Sequence, residues 1–354
     1  MKDIMSYLAG HKLHYHLERL LEWQQDRDVL PVYAEIGPTS LCNHRCLMCG
    51  YEHLGHKNQS LEYARMMELV DELHESGIKS LVFAGDGEPL INSATIPSIQ
   101  RATHLGIDCG LSTNGFLLKD NQSSILSERL RWIRFSINGG DKKTYSLVHR
   151  TSEGAFNTVI NNVRKLAQVK SERGHGITIG VQCVLLPENM GTISNLAAIV
   201  RESGADYFVV KPFYPVEKIS YKPGDIHNDA IESLRQRLAD LADDNFSADI
   251  RLRELKSNSG KRVYVKCYGI DFIVIVTSSG DVYSCLPQIG DERFKFGNIY
   301  ESGFSEIWSG ERKKAVMDFI DSFNKDTCQP NCRNHRINEF LWDLKHPHLH
   351  KNFI

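Results

Sequence analysis

An α/β fold built on a parallel sheet is predicted for this chain, on three observations. Short β-rich runs at 32–36, 80–84, 107–112, 132–137, 177–185 and 207–210 alternate with segments of helical period. Gly77, Gly106 and Gly204 each stand just before the next run, where a helix must end in a left-handed residue. The intervening segments carry apolar stripes such as Met66, Leu69, Val70 and Leu73, or Phe156, Val159, Ile160, Val163 and Leu166, which can cover a sheet face. Six βα units of this kind form either an open doubly wound layer or a full or partial barrel. In both, ligands gather at the strand C-termini.

Taken in order, residues 1–31 read as an N-terminal helix with Leu13, Leu17, Leu20 and Leu21 on one stripe, ended by Pro31. The βα core occupies 32–211. The rhythm then breaks at Pro212, Pro215 and Pro223-Gly224, so 212–260 reads as a linker containing a polar helix over 228–243. A β-rich unit is expected over 261–340, with strands at 272–276 and 282–285 around a Thr277-Ser278-Ser279-Gly280 turn, then a helix over 304–320. The tail, 341–354, carries His346, His348 and His350 and reads as a solvated terminus.

Composition narrows the function. The 354 residues hold 42 basic and 44 acidic side chains, a net charge of −2, which gives no electrostatic footprint for nucleic acid or an anionic membrane. No stretch approaches the roughly 20 apolar residues that span a bilayer. The first thirty residues are too charged for a secretory signal, so a cytoplasmic location is expected. There, nine cysteines point to metal ligation or reactivity rather than to a disulfide framework.

Cys42, Cys46 and Cys49 follow the first strand with the spacing C-x3-C-x2-C. Three neighbouring thiolates must bind metal or repel one another. A structural zinc site completed by His53 is one reading; three cysteines on a four-iron cluster, which leaves one iron open, is the other. The loop Leu-Cys-Asn-His-Arg-Cys-Leu-Met-Cys-Gly resembles the cluster loop of radical S-adenosylmethionine (SAM) enzymes, and the resemblance continues at later strand ends. Gly85-Asp86-Gly87-Glu88-Pro89 is similar to the family's GGEP motif, which holds the amino group of the cofactor. Ser112-Thr113-Asn114-Gly115 resembles its S-T-N-G turn. Ser136 and Asn138 end the fourth strand, where members place polar cofactor contacts, and Arg150 matches an arginine facing the cofactor carboxylate. Met48 departs from the pattern, standing where an aromatic usually covers the adenine.

The resemblance covers 32–210. It implies a partial (β/α)6 TIM-like barrel, a 4Fe-4S cluster on Cys42, Cys46 and Cys49, bound SAM, and contacts from Gly85, Gly87, Glu88, Ser112, Asn114, Ser136, Asn138 and Arg150. It also implies an electron donor such as flavodoxin or ferredoxin. A 5′-deoxyadenosyl radical formed there would need shielding from water inside the barrel.

Cys267, Cys285, Cys328 and Cys332 form a second group. C-x12-G-x4-C from Cys267 through Gly280 to Cys285, with Phe296-Gly297-Asn298-Ile299 and Glu306-Ile307-Trp308-Ser309, resembles the auxiliary-cluster domains of the SPASM and twitch type. That implies a small C-terminal iron–sulfur domain with one auxiliary 4Fe-4S cluster, the shorter twitch arrangement. A zinc ribbon, with His335 replacing a cysteine, is the alternative. Strand alternation places the remaining Cys109 and Cys183 on the helix-covered face as core thiols and turns Gln182 toward the lumen, where it joins the cofactor contacts.

These features imply hydrogen abstraction from a small polar substrate. The leading reaction is oxidation of a carbinol, with the auxiliary cluster taking an electron, as in enzymes similar to 2-deoxy-scyllo-inosamine dehydrogenase. Sugar epimerisation or deoxygenation and peptide modification are the alternatives. Only 31 residues precede the first strand, short for the leader-binding domain of many peptide modifiers. A zinc-stabilised binding protein is the non-enzymatic alternative. His149 and Lys211 are candidate bases, against a helix contact or a salt bridge.

Overall fold

The computed structural model describes residues 11–25, 29–213, 218–251, 262–329 and 332–353. Its strands are β1 Tyr33–Ile36, β2 Ser80–Phe83, β3 Asp108–Thr113, β4 Leu130–Ser136, β5 Thr178–Leu185, β6 Tyr207–Pro212, β7 Ser247–Ile250, β8 Ile273–Val276, β9 Asp281–Tyr283 and β10 Gly297–Asn298. Helices are α1 Leu17–Gln24, α2 Tyr63–Glu75, α3 Thr95–His104, α4 Asp120–Arg129, α5 Lys142–His149, α6 Gly154–Arg173, α7 Ile193–Glu202, α8 Asn228–Leu241, α9 Phe304–Ser309, α10 Glu311–Ser322 and α11 His335–Lys345. None of the described helices is long and apolar enough to cross a membrane.

The strands form one sheet in the order β10-β9-β8-β1-β2-β3-β4-β5-β6-β7. Neighbours from β8 through β1 to β7 are parallel, and β9 and β10 return antiparallel. This is the expected mixed α/β, TIM-like barrel, open between its edge strands. The outer face of each strand is fully apolar: Ala34 and Ile36, Leu81 and Phe83, Cys109 and Leu111, Ile133 and Phe135, Ile179, Val181 and Cys183 are all buried against the helices. Cys109 and Cys183 are therefore core thiols, as alternation requires.

Inside, the lumen floor is filled. Gly110 of β3 and Gly180 of β5 lie under the rings of Trp132 and Tyr207, where any Cβ would overlap ring carbons. Glycine here serves close approach rather than a turn.

Three expectations are corrected. The stretch read as a linker carries its expected helix as α8, but also a seventh parallel strand, β7, in register with β6 from Tyr207↔Ser247 to Val210↔Ile250. Its sequence, Ser-Ala-Asp-Ile, lacks the β-branched run that marks a strand, so pairing with an exposed edge decided it. The N-terminal stripe is also different: α1 begins only at Leu17 after a short 3-10 turn, and it buries Leu20 and Trp23 while Leu17 and Leu21 are exposed. The rest of the expected N-terminal helix, 1–10 and 26–28, lies outside the described residues. Finally, the helix over 304–320 is two helices broken at Gly310.

Trp23 docks α1 onto the C-terminal unit, its indole N–H donating to Asp271 Oδ2 at 2.8 Å. Burial pushes the Asp271 carboxyl up from 3.8 to about 7. A carboxyl whose folded pKa is raised stabilises the fold below its unfolded pKa, and that contribution is lost as pH rises through the folded value. Thermal stability should therefore decline as pH rises from about 4 to about 7, and Asp271→Asn should flatten that decline; parallel melting curves across the range check this.

Candidate active site

The cluster loop leaves β1 and is tied to two neighbours by backbone bonds and to a third by a side-chain bond. Arg45 N and Leu47 N donate to the carbonyls of His149 and Val148 at 3.1 and 2.9 Å, and Glu88 N donates to Leu41 O at 2.8 Å. Asn114 Nδ2 donates to Asn43 Oδ1 at 2.8 Å. The loop thus joins the ends of β2, β3 and α5 to one spot above the barrel. Burial, then repulsion from Cys49 and Cys42, pushes the Cys46 thiol up; burial raises Cys42 to about 11. A metal centre would favour the thiolate form of thiols held together in this way.

The second group behaves the same way. Cys285 is raised by burial and by Cys332, Cys267 and Cys328, so the four thiols face one another at one half-buried site. Asn338 Nδ2 points at Cys267 Sγ from 3.3 Å, and Arg262 donates to Cys328 O and Gln329 O at 3.3 and 3.0 Å. His335 is engaged elsewhere, with Tyr264 at 3.0 Å and Glu339 at 3.4 Å, so it replaces no cysteine. His53 bonds the Gly50 carbonyl through Nδ1, while its Nε2 is buried without a hydrogen-bond partner. Among the described residues no three cysteine sulfurs lie within 4.8 Å of one another. A single tetrahedral zinc with Zn–S bonds near 2.3 Å needs sulfurs roughly 3.8 Å apart. Neither site is therefore gathered as tightly as one tetrahedral zinc would hold it.

The expected cofactor residues are brought to the same end of the sheet, in unequal roles. Glu88 is buried and its carboxylate accepts from Thr113 Oγ1 at 2.6 Å, Asn114 N at 2.7 Å and Leu90 N at 3.1 Å. It orders the turn as well as presenting a negative charge. Gly85 and Gly87 permit close packing: a Cβ on Gly85 would overlap Gly37, and one on Gly87 would overlap Thr39 O and Leu41 O. Ser136 and Gln182 are register partners on β4 and β5, and Gln182 Oε1 is buried without a protein partner, which leaves it for a ligand. Ser112 Oγ accepts from Arg134 at 3.4 Å. Arg150 is exposed in the left-handed region at φ 48°, capping α5, and its charge favours the Cys46 thiolate. Asn138 departs from the expectation. Its Oδ1 accepts from Val184 N at 2.7 Å and its carbonyl from Asn189 Nδ2 at 3.0 Å, so it fastens β4 to β5.

Sequence reasoning missed several residues. Asp86 is buried and accepts from Ser278 Oγ at 2.6 Å, latching the β8–β9 turn onto the glycine-rich loop. Glu35, on the lumen side of β1, accepts from Tyr33 at 3.1 Å and from Arg333 at 2.8 Å. Arg333 follows Cys332, and the Tyr51 hydroxyl lies within the fields of Glu35, Arg333, Asp86 and Cys49. Glu35, Arg333 and Tyr51 therefore stand between the two cysteine sites. His149 is no free base: Asn138 N donates to its Nε2 at 2.9 Å and its Nδ1 lies 3.2 Å from Cys46 Sγ.

Residues 36–199 match the Radical SAM superfamily, and 267–334 match SPASM, an iron-sulfur cluster-binding domain. The chain is 24% identical over 323 residues, 85% of each protein, to the tungsten-containing aldehyde ferredoxin oxidoreductase cofactor-modifying protein of Pyrococcus furiosus. Its fold is similar to that of Streptococcus suis SuiB bound to the precursor peptide SuiA, with TM-score 0.67 at 17% identity, covering 92% of this chain and 75% of SuiB. It is also similar to native anSMEcpe with bound AdoMet, with TM-score 0.60 at 18% identity over 86% of this chain and 90% of that one. With Cys42, Cys46 and Cys49 inside the first matched region and Cys267, Cys285, Cys328 and Cys332 inside the second, this chain is a radical SAM enzyme carrying a SPASM domain.

Proposed function

We propose that this enzyme oxidises a carbinol of a small polar substrate to a ketone. The observation that supports the reading is the Glu35–Arg333 pair, which joins β1 to the residue after Cys332 and lies in the field of Tyr51, two residues after Cys49. Cys42, Cys46 and Cys49 would hold one 4Fe-4S cluster; Cys267, Cys285, Cys328 and Cys332 would hold the other. When bound, these groups and SAM supply hydrogen-atom abstraction at the first site and electron acceptance at the second. Gln182, Ser136 and Ser112 line the cofactor end of the lumen. Trp132 and Tyr207 fill its floor and exclude water there.

Net oxidation removes a hydrogen atom from carbon, a proton from the hydroxyl and one electron. Glu35 is the proton acceptor in this reading, its carboxylate oriented by Arg333 and Tyr33. Epimerisation would need a hydrogen donor instead, and Cys109 and Cys183 are buried on the wrong face of the sheet to serve. A second reading, modification of another enzyme's cofactor, draws its support from the Pyrococcus relative.

Anaerobic turnover with aminocyclitols, sugars and the cofactor of a tungsten-containing aldehyde ferredoxin oxidoreductase as separate substrates tests these readings. The expected product from an alcohol is lighter by two hydrogens, with one 5′-deoxyadenosine per turnover. Glu35→Gln should still release deoxyadenosine while forming little ketone. A mass-neutral product carrying solvent deuterium would overturn oxidation, and turnover of the oxidoreductase cofactor alone would replace it with the second reading.

A further inference from the structure

His149 ends α5, and everything about its placement fixes the ring. Its carbonyl and that of Val148 receive the Arg45 and Leu47 N–H groups, so the helix end and the cluster loop are already stapled by two backbone bonds. The side chain is buried, with the Tyr145 ring stacked on it at 4.1 Å and 25°, and His44 5.3 Å away on another side. At Nε2 it faces donors: Asn138 N at 2.9 Å and Asn138 Nδ2 at 3.3 Å. A backbone N–H can only donate, so Nε2 is the acceptor nitrogen and the proton of the neutral ring sits on Nδ1. That N–H is aimed at Cys46 Sγ, 3.2 Å away.

We infer that His149 is a positioning residue for the first cysteine site, donating an Nδ1–H hydrogen bond to the Cys46 thiolate in a tautomer set by the Asn138 backbone. The inference rests on Cys46 being a cluster ligand, and it goes beyond that assignment by giving this one cysteine a side-chain donor 103 residues away in sequence. A donor to a ligating thiolate offsets part of its negative charge. The more negative, reduced form of a cluster gains most, so the bond raises the reduction potential. Among the described residues the second site has a comparable side-chain donor in Asn338, at 3.3 Å from Cys267. The two sites are thus tuned by different residues and can be perturbed separately.

The test is a redox titration followed by electron paramagnetic resonance on the reconstituted full-length enzyme and on His149→Phe and His149→Gln, with iron content measured in each. His149→Phe should make the first cluster about tenfold harder to reduce at a given potential, a shift of about 59 mV for one electron. The second cluster should keep its midpoint and serve as an internal reference. His149→Gln, whose amide can still donate, should recover most of the shift. If His149→Phe binds iron poorly, recovery of iron and midpoint in His149→Gln supports the hydrogen bond. An unchanged first midpoint in His149→Phe, or equal loss of first-site iron in both variants, would overturn it and leave His149 a packing residue.

Discussion

Simultaneous replacement of Cys42, Cys46 and Cys49 by alanine should abolish formation of 5′-deoxyadenosine and remove about half of the roughly eight irons expected per chain. The reason is coordination. Four cysteines would close the C-terminal site, whereas the loop after β1 supplies three, so only there would an iron be free to hold SAM. The variant should still fold, because the loop is held by backbone bonds from Arg45, Leu47 and Glu88 that the substitutions leave in place. Iron analysis and chromatography of the nucleoside check the two halves of this expectation. Retained nucleoside formation would place SAM elsewhere.

Gly87→Ala should strongly impair cofactor binding. A Cβ at residue 87 would overlap Thr39 O and Leu41 O and lie 2.8 Å from the Ser40 carbonyl carbon. All three belong to the backbone of the cluster loop, which has no rotamer to yield. Relief requires moving the loop away from β2, which breaks the Glu88 N to Leu41 O bond and shifts Cys42. Overpacking of this kind costs about 1–3 kcal/mol, and the same displacement should weaken SAM binding at least about tenfold. Equilibrium binding of SAM to reconstituted protein measures it. Gly154→Ala, where a Cβ meets nothing within 4 Å, is the matched control.

Much of the fold is legible in the order of residues alone. The six core strands lie where hydrophobic runs alternate with helical stripes, because a parallel strand buried on both sides needs a continuous apolar run. Gly85, Gly87 and Glu88 read as a site through the resemblance of Gly-Asp-Gly-Glu-Pro to the GGEP motif. Strand alternation is enough to assign Cys109 and Cys183 to the core. The linker expectation fails where no local signal exists: β7 forms because the edge of β6 offers unpaired backbone groups, and Ser-Ala-Asp-Ile is adequate to pair with them. The expected stripe on α1 fails because Trp23 and Leu20, not Leu17 and Leu21, meet the C-terminal cluster of Phe272 and Leu341.

The order of residues sets the chemistry on offer: three thiols at short spacing after the first strand, four more near the C-terminus, and polar groups at successive strand ends. Spacing within a loop is a local property, so the chain reveals it directly. Which distant groups meet is a property of the folded chain alone. Pairing of β8 beside β1 carries the C-terminal cysteines to the barrel. It also brings Arg333 onto Glu35 across 298 residues. The end of α5 brings His149 to Cys46, and nothing in Val-His-Arg distinguishes that histidine from a surface one. Such contacts depend on sheet register and helix length summed over the whole fold, and one residue of slip would turn each side chain to the opposite face.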